Sequence, residues 1–221
     1  MLRMQLLPKA KPSLPAKLDG YLKRDPQFRR VYERTRKAFE AKALPAHNWE
    51  HIYRDVLNAI VIGEAEGADM RIVLPAITMH DIGFLYGSDG PTHAQRGVKK
   101  FNAYLRRIRV QYAPAEIAHI RACIRTHKGS TFQTKPATLE ARVVADADML
   151  EKFGLFGVYQ YIRTWTEFGF GLTQTIDGGL SRMEGGTYQL NTKTGEKLAE
   201  PGRKFVTAFF HALNRAYGPY R

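Results

Sequence analysis

The sequence predicts an all-α protein: a bundle of about five core helices with a short irregular or hairpin insert near the C-terminus. Apolar residues recur three and four positions apart in most segments, which is the period of an amphipathic helix. Prolines and glycines fall at the predicted helix ends. No internal repeat or low-complexity tract interrupts the chain, so we expect residues 26–221 to form a single domain.

The N-terminal segment is predicted to differ from the rest. Pro8, Pro12 and Pro15 interrupt any regular element there, so residues 1–25 are predicted to form an extended arm. The first helix is predicted over residues 26–43, with Pro26 in its first turn.

Further helices are predicted from the apolar spacing and its stops. Their ranges are 47–67 (ended by Gly67), 68–81 (kinked or starting late at Pro75), 92–108, 114–127, a long 138–165 and 201–217. The insert is the Gly- and Thr-rich stretch 169–186 followed by TYQLNTKTGEKL, for which we expect a hairpin or an irregular strap.

Charge favours an acidic partner. The net charge is +13, from 34 basic and 21 acidic residues, and it is dispersed along the chain. Because the chain has no RNA-binding signature and no zinc-finger spacing, we expect a small phosphorylated substrate rather than dedicated nucleic-acid binding.

Compartment is predicted from two features. The single cysteine, Cys123, excludes an intramolecular disulfide, which is typical of a reducing compartment. No apolar run approaches the ~20 residues that span a bilayer. We therefore expect a soluble, cytoplasmic protein without a membrane partner.

The first indication of a functional site is His80-Asp81, an adjacent polar pair inside the apolar segment LPAITMHDIGF. Burying both groups costs several kcal/mol unless they are paired or coordinated. A divalent metal would compensate, because imidazole and carboxylate are both good ligands. Neighbours lie about 100° apart on a helix, yet at its C-terminal end they can converge, with further ligands from other helices.

Two other polar residues are candidate partners for the pair. His51 lies near the start of the predicted helix 47–67, and Asp148 lies in the apolar stretch VVADADML. A carboxylate there is explained either by metal ligation or by a cap or salt bridge.

The segments HNWEHIYRDVLNAI, MHDIG and VVADADMLE resemble the HD-domain phosphohydrolase superfamily, whose pattern is H…HD…D. The resemblance covers about residues 45–165 and implies an HD-type helical domain. It implies that the metal ligands are His51, His80, Asp81 and Asp148, with His80 and Asp81 at the catalytic centre. Asp146 is a rival to Asp148, but the match to A-D-M-L favours Asp148.

Two further segments, THAQRG and IRTHKG, resemble those of the two-metal members of that superfamily. This implies a second metal bound by His93 and His127; the alternative is one metal, with both histidines contacting substrate phosphate. The doubled histidine and the Gly-Tyr-Pro signature of cyclic-dinucleotide hydrolases are absent, which argues against such substrates.

Accessory roles are predicted for four residues. Lys128 and Arg96 are candidates to bind substrate phosphate, the alternative being exposed, solvated side chains. His47 and Asp146 are candidates to contact the metal ligands and fix their orientation without binding the metal themselves.

The resemblance implies a metal-dependent hydrolase of phosphate esters, acting on a nucleotide with metal-activated water. Its cofactor would be one or two divalent ions of Mn, Fe, Ni, Co or Mg. The alternative is a non-catalytic HD-fold module that binds nucleotide or nucleic acid through its basic surface.

Overall fold

In the computed structural model, which describes residues 12–88 and 90–220, every regular element of the described chain is helical. The α-helices are α1 (Leu14–Arg24), α2 (Pro26–Lys42), α3 (Trp49–Glu66), α4 (Met70–Thr78), α5 (His93–Ile108), α6 (Pro114–Thr126), α7 (Leu139–Leu150), α8 (Gly154–Glu167), α9 (Leu172–Glu184) and α10 (Lys193–Tyr217). Short 3-10 helices span Ile82–Tyr86, Gly129–Phe132 and Gly218–Tyr220. The all-α prediction is confirmed.

Two helices that carry buried polar residues, α3 and α7, each begin at a side-chain cap. Asn48 accepts a hydrogen bond from the backbone N–H of His51 at 3.1 Å, at the start of α3. Thr138 accepts from the N–H of Ala141 at 3.2 Å, at the start of α7. Each such cap satisfies one of the N–H groups that a first helical turn leaves without a partner.

The helices enclose two apolar cores. The larger core lies among α1–α7, with α3 packed between α4 and α7 and with side chains such as Ile60, Ile77 and Val143 fully buried. The smaller core joins the end of α7 to α8, α9 and α10 around Phe210 and Tyr161. Because α7 borders both cores, residues near its end lie where the two helical layers meet. Among the described residues no helix is long and apolar enough to cross a bilayer.

The predicted extended arm is wrong for the part that the structure describes. Residues 14–24 form α1, which packs on α2 and α3 with Leu18 buried. Ser13 caps this helix, and Pro15 lies in its first turn. A proline is tolerated there because the backbone N–H that it lacks would have no hydrogen-bond partner within the helix. Residues 1–11 of that prediction lie outside the described residues.

The predicted long helix over 138–165 is two helices. α7 ends at Leu150 and α8 begins at Gly154, whose φ of +70° turns the chain between them. Glycine adopts this left-handed conformation without the steric penalty of a Cβ.

The irregular insert is shorter than expected. Much of 169–186 is helix α9, so the irregular part between α9 and α10 is residues 185–192, and no hairpin occurs within the described chain. Thr192 caps α10, which then runs through Pro201.

Candidate metal centre

The adjacent His80-Asp81 pair lies in the turn that follows α4. The helix ends at Thr78, and a 3-10 helix begins at Ile82. Outside the regular helix the two side chains can face the same point, and His80 Nε2 lies 3.4 Å from Asp81 Oδ2. Both residues are fully buried. The convergence expected at a helix C-terminus is therefore present.

A close backbone contact at Gly83 brings the start of α5 against this turn. A Cβ built on Gly83 would lie 1.9 Å from the carbonyl oxygen of His93, which leaves room for no residue but glycine. His93 is the first residue of α5, so this contact places its ring beside Asp81, with His93 Nε2 3.1 Å from Asp81 Oδ1.

Asp81 lies between two pairs of histidines. Its Oδ2 is 3.6 Å from His51 Nε2 and 3.4 Å from His80 Nε2. Its Oδ1 is 3.1 Å from His93 Nε2 and 3.5 Å from His127 Nε2. One carboxylate thus faces two separate sets of nitrogen donors, which is an arrangement suited to bridging two cations.

On the Oδ2 side, α3 and α7 add two carboxylates. Asp148 Oδ1 is 3.5 Å from His51 Nε2, and Asp55 Oδ2 is 3.3 Å from the same atom. Donor atoms of His51, Asp55, His80 and Asp148 all lie within 4.8 Å of one another, as do those of His80, Asp81 and His127. Asp55 was missed in the sequence, although its position four residues after His51 on one helix face could have indicated it.

Three of the histidines donate a hydrogen bond from Nδ1 to a backbone carbonyl. His80 Nδ1 donates to the carbonyl of Ile77 at 2.6 Å, and His127 Nδ1 donates to that of Ile124 at 2.7 Å. His93 Nδ1 donates to the carbonyl of Gly90. A carbonyl only accepts, so in each neutral ring Nε2 carries the lone pair and points it into the cluster.

The protonation states of the rings differ between the two sides. Burial lowers the pKa of His127 to about 3 and also lowers the pKa of His93, so both rings are neutral. Burial alone would lower the pKa of His51, but the neighbouring carboxylates of Asp55, Asp81 and Glu151 raise it to about 10. The charges of Asp81 and Asp55 likewise outweigh burial at His80 and raise its pKa, so in the absence of a cation the carboxylates favour protonation of both rings on this side.

The direction of the pKa shift of each carboxylate depends on the charges beside it. Burial opposes ionisation of Asp148, yet the charges of Lys128 and Lys152 hold its pKa well below the ordinary value. Burial likewise opposes ionisation of Asp81, and the charges of His80 and Lys128 outweigh it. Burial raises the pKa of Asp55, which has no lysine among the charges that act on it most strongly.

The buried oxygen and nitrogen atoms of the cluster fit a divalent cation. Within the described chain, no hydrogen bond reaches either oxygen of Asp55 or of Asp81, nor His80 Nε2 or Asp148 Oδ1. On the other side, the Nε2 atoms of His93 and His127 lie only 3.0 Å apart, although both are acceptors in neutral rings. Acceptors that face each other without a proton between them are what a bound cation requires.

A cavity of about 470 Å³ adjoins the cluster. His93 and His47 lie in its wall, and its aromatic lining is Phe84, Phe132, Trp165, Phe168, Phe170 and Tyr188. Its cationic lining is Lys128, Lys152 and Arg182. A cavity with flat apolar walls and a few charged groups suits a ligand that has both a ring system and anionic groups.

The two lysines of this lining connect the cavity to the cluster. Lys128 Nζ lies 3.4 Å from Asp148 Oδ2, and Lys152 Nζ lies 3.6 Å from Asp148 Oδ1. The sequence indicated Lys128 but not Lys152 or Arg182. Lys152 follows Asp148 by one helical turn, a spacing that could have indicated it.

The other accessory predictions have different outcomes. Arg96, a candidate for phosphate, donates instead to the carbonyls of Gly83 and Gly87 at 2.9 and 3.1 Å, so its guanidinium holds the loop after the His-Asp pair. His47 stacks on Phe84 with centroids 4.2 Å apart, and its Nδ1 lies 3.1 Å from Glu167 Oε1 at the end of α8.

Asp146 is placed away from the donor cluster. Its carboxylate accepts hydrogen bonds from the backbone N–H and side-chain amide of Asn191 and from the backbone N–H and hydroxyl of Thr192. It therefore holds the irregular segment 185–192 at the start of α10. The prediction that Asp146 supports the metal ligands by hydrogen bonds does not agree with these contacts. Between Asp146 and Asp148, it is Asp148 that faces the histidines.

Comparison with known proteins gives one family match. The sequence model of the HD domain family matches residues 48–152. The Bacillus subtilis protein YpgQ is 26% identical over 174 residues, which are 76% of this chain and 83% of YpgQ. Its crystal structure in complex with ADP has a TM-score of 0.63 at 23% identity, and the alignment covers 86% of this chain and 94% of that one.

Two other solved structures share the fold. A predicted HD superfamily hydrolase from an uncultured Thermotogales bacterium has a TM-score of 0.63 at 23% identity, covering 90% of this chain and 98% of its own. A Lactobacillus plantarum protein has a TM-score of 0.72 at 18% identity, covering 88% and 98%.

Proposed function

We propose that the protein is a metal-dependent phosphohydrolase acting on a nucleotide, from the premise that the HD domain model matches residues 48–152, where the sequence motifs predicted such a domain. The observation that carries the proposal is the position of Asp81. Its two oxygens face two histidine pairs beside a cavity whose walls are aromatic rings and lysines.

Two divalent ions are part of the proposal. The first would be held by His51, His80, Asp81 and Asp148, and the second by Asp81, His93 and His127. When bound, such ions lower the pKa of water to make a nucleophile near neutral pH and neutralise charge on phosphoryl oxygens.

The protein's own groups hold the substrate in place. Lys128 and Lys152 reach from Asp148 toward the cavity and would bind the phosphoryl oxygens by charge-assisted hydrogen bonds. Trp165 and Phe168 line the same cavity and offer flat faces for a base. The structure of YpgQ, a relative of similar fold, is described as a complex with ADP, which supports a nucleotide as the ligand class.

Elemental analysis of the purified protein tests the metal part of the proposal. A phosphate-release screen over nucleotides, run with Mn²⁺, Fe²⁺, Ni²⁺, Co²⁺ or Mg²⁺, tests the activity. His80→Ala and Asp81→Ala are expected to lose both the metal and the turnover. Full metal content and full turnover in both variants would show that the site is assigned wrongly.

The same material separates catalysis from binding alone. A non-catalytic module would bind nucleotide with an affinity that falls steeply with salt, would release no phosphate, and would keep that affinity after Asp148→Ala. The hydrolase requires Asp148 for turnover.

A further inference from the structure

A third carboxylate lies beside the first proposed ion, outside the four-residue H…HD…D pattern. We infer that Asp55 is a further ligand of that ion, which gives it three carboxylates and two imidazoles. The inference rests on the proposed metal site and adds a residue that the pattern does not contain.

The position of Asp55 is that of a ligand. It lies one helical turn after His51 on α3, so both side chains leave the same face. Its Oδ2 is 3.3 Å from His51 Nε2 and 3.5 Å from His80 Nε2. These separations are typical of two ligand atoms that share one cation rather than of atoms that belong to different sites.

Hydrogen bonding within the described chain does not explain the burial of Asp55. The residue is fully buried, and neither of its oxygens accepts a hydrogen bond from the described part of the chain. Asp146, also fully buried, accepts hydrogen bonds from Asn191 and Thr192. A buried carboxylate with a structural role is expected to have such donors, because an unpartnered buried charge costs several kcal/mol.

An ion pair with His51 accounts for only part of the geometry. His80 Nδ1 donates to the carbonyl of Ile77, so in the neutral ring His80 Nε2 is an acceptor. Asp55 Oδ2 lies 3.5 Å from this atom. Within the described chain no hydrogen bond reaches His80 Nε2 or either oxygen of Asp55, whereas a shared cation would bind both.

The added carboxylate determines which ions the site prefers. Carboxylate oxygens are hard ligands that suit Mn²⁺ and Mg²⁺, whereas imidazole alone suits Zn²⁺, Cu²⁺ or Ni²⁺. Mn²⁺ is therefore the probe, since it is hard and its free form is measured directly by electron paramagnetic resonance.

The experiment is a Mn²⁺ titration of chelator-stripped full-length protein, comparing wild type with Asp55→Asn. The variant keeps the size and polarity of the side chain but loses its charge. Replacing groups that only support a ligand already weakens metal binding by about 10–100-fold. We expect one of the bound equivalents to weaken at least ~10-fold in Asp55→Asn, with a smaller rise in Tm on adding Mn²⁺.

Glu50→Gln is the matched control. It removes the same charge from the same helix, but Glu50 is exposed and pairs with Arg163 at 3.4 Å, away from the cluster. Its affinity for Mn²⁺ should equal that of wild type. Asp55→Ala provides a second variant of the same position, read by the same titration, should the asparagine destabilise the fold.

The outcomes separate the two levels of the proposal. If wild type binds Mn²⁺ and releases phosphate but Asp55→Asn and Asp55→Ala bind Mn²⁺ as tightly, Asp55 is not a ligand and the phosphohydrolase proposal stands. If wild type itself binds no divalent ion, the proposed function and the role of Asp55 both fail.

Discussion

Gly83→Ala is expected to damage the site through the backbone rather than through a ligand. The new methyl would lie 1.9 Å from the carbonyl oxygen of His93 and 2.7 Å from its carbonyl carbon. Ordinary contacts between heavy atoms are ~3.5 Å, so the start of α5 would have to move by more than ~1 Å. Overpacking costs about 1–3 kcal/mol, and a clash with backbone belongs at the upper end.

For a chain of this length, 1 kcal/mol shifts Tm by ~2–4 °C. We therefore expect Gly83→Ala to lower the Tm of the chelated protein by ~6–12 °C. The displacement also separates His93 from Asp81, so the variant should lose one of two bound Mn²⁺ equivalents. Thermal unfolding followed by circular dichroism, and Mn²⁺ titration, measure the two effects.

Gly97→Ala is the matched control on the opposite side of the same contact. Its methyl would lie 3.4 Å from Gly83 N, 3.5 Å from Ile82 Cγ1 and 3.7 Å from Ile124 Cγ2, which are ordinary contacts. Inside α5, alanine is favoured over glycine by ~1 kcal/mol, so Tm should stay or rise. A Tm within ~2 °C of wild type for Gly83→Ala, or an equal fall in Gly97→Ala, would refute the reasoning.

Three other predictions concern different parts of the site. Asp146→Asn should lower the free energy of unfolding in urea by ~2 kcal/mol, because it weakens charged hydrogen bonds that hold Asn191 and Thr192; unchanged metal content is expected, and a loss of metal would return Asp146 to the ligand set. Lys152→Met should raise KM for a nucleotide at least ~10-fold with a smaller change in kcat, since a charged hydrogen bond contributes about 1.5–3 kcal/mol; an unaltered KM would exclude phosphate contact. Adding a chelator to protein equilibrated with metal at ~100 times its Kd should lower Tm by ~5–10 °C in differential scanning fluorimetry, because metal at that concentration stabilises the fold by about 2.7 kcal/mol. An unchanged Tm would mean that no ion contributes to stability.

The sequence indicated the centre of the site better than its edges. His80, Asp81 and Asp148 stood out because polar residues in apolar segments need a reason, and the resemblance to the H…HD…D pattern added His51. The structure brings all four together. Asp55 carried no such signal. It lies in a helix that also carries exposed charges, so a carboxylate there resembles a solvated one until α4 and α7 cover it.

Predictions that relied on residue type alone failed where tertiary packing decided. The Gly- and Thr-rich stretch was expected to be irregular, but α9 uses its glycines for close packing. A Cβ on Gly178 would meet the ring of Trp165 at 2.1 Å, and one on Gly179 would meet Phe210 at 2.7 Å. Arg96 was a candidate either to bind phosphate or to be solvated, whereas the loop that starts at Gly83 supplies carbonyls for its guanidinium. Partners from distant segments are not visible in a local pattern.

The hydrogen bonds from histidine Nδ1 limit which residues could replace the proposed ligands. The rings of His80 and His127 each return a donor to the last turn of the helix they follow, at Ile77 O and Ile124 O. A cysteine or glutamate at either position could still coordinate a cation, but neither has a donor for the carbonyl three residues before it. A ligand exchange that is conservative in coordination chemistry would therefore leave a carbonyl at the end of a helix without its donor, at a cost of about 1–3 kcal/mol.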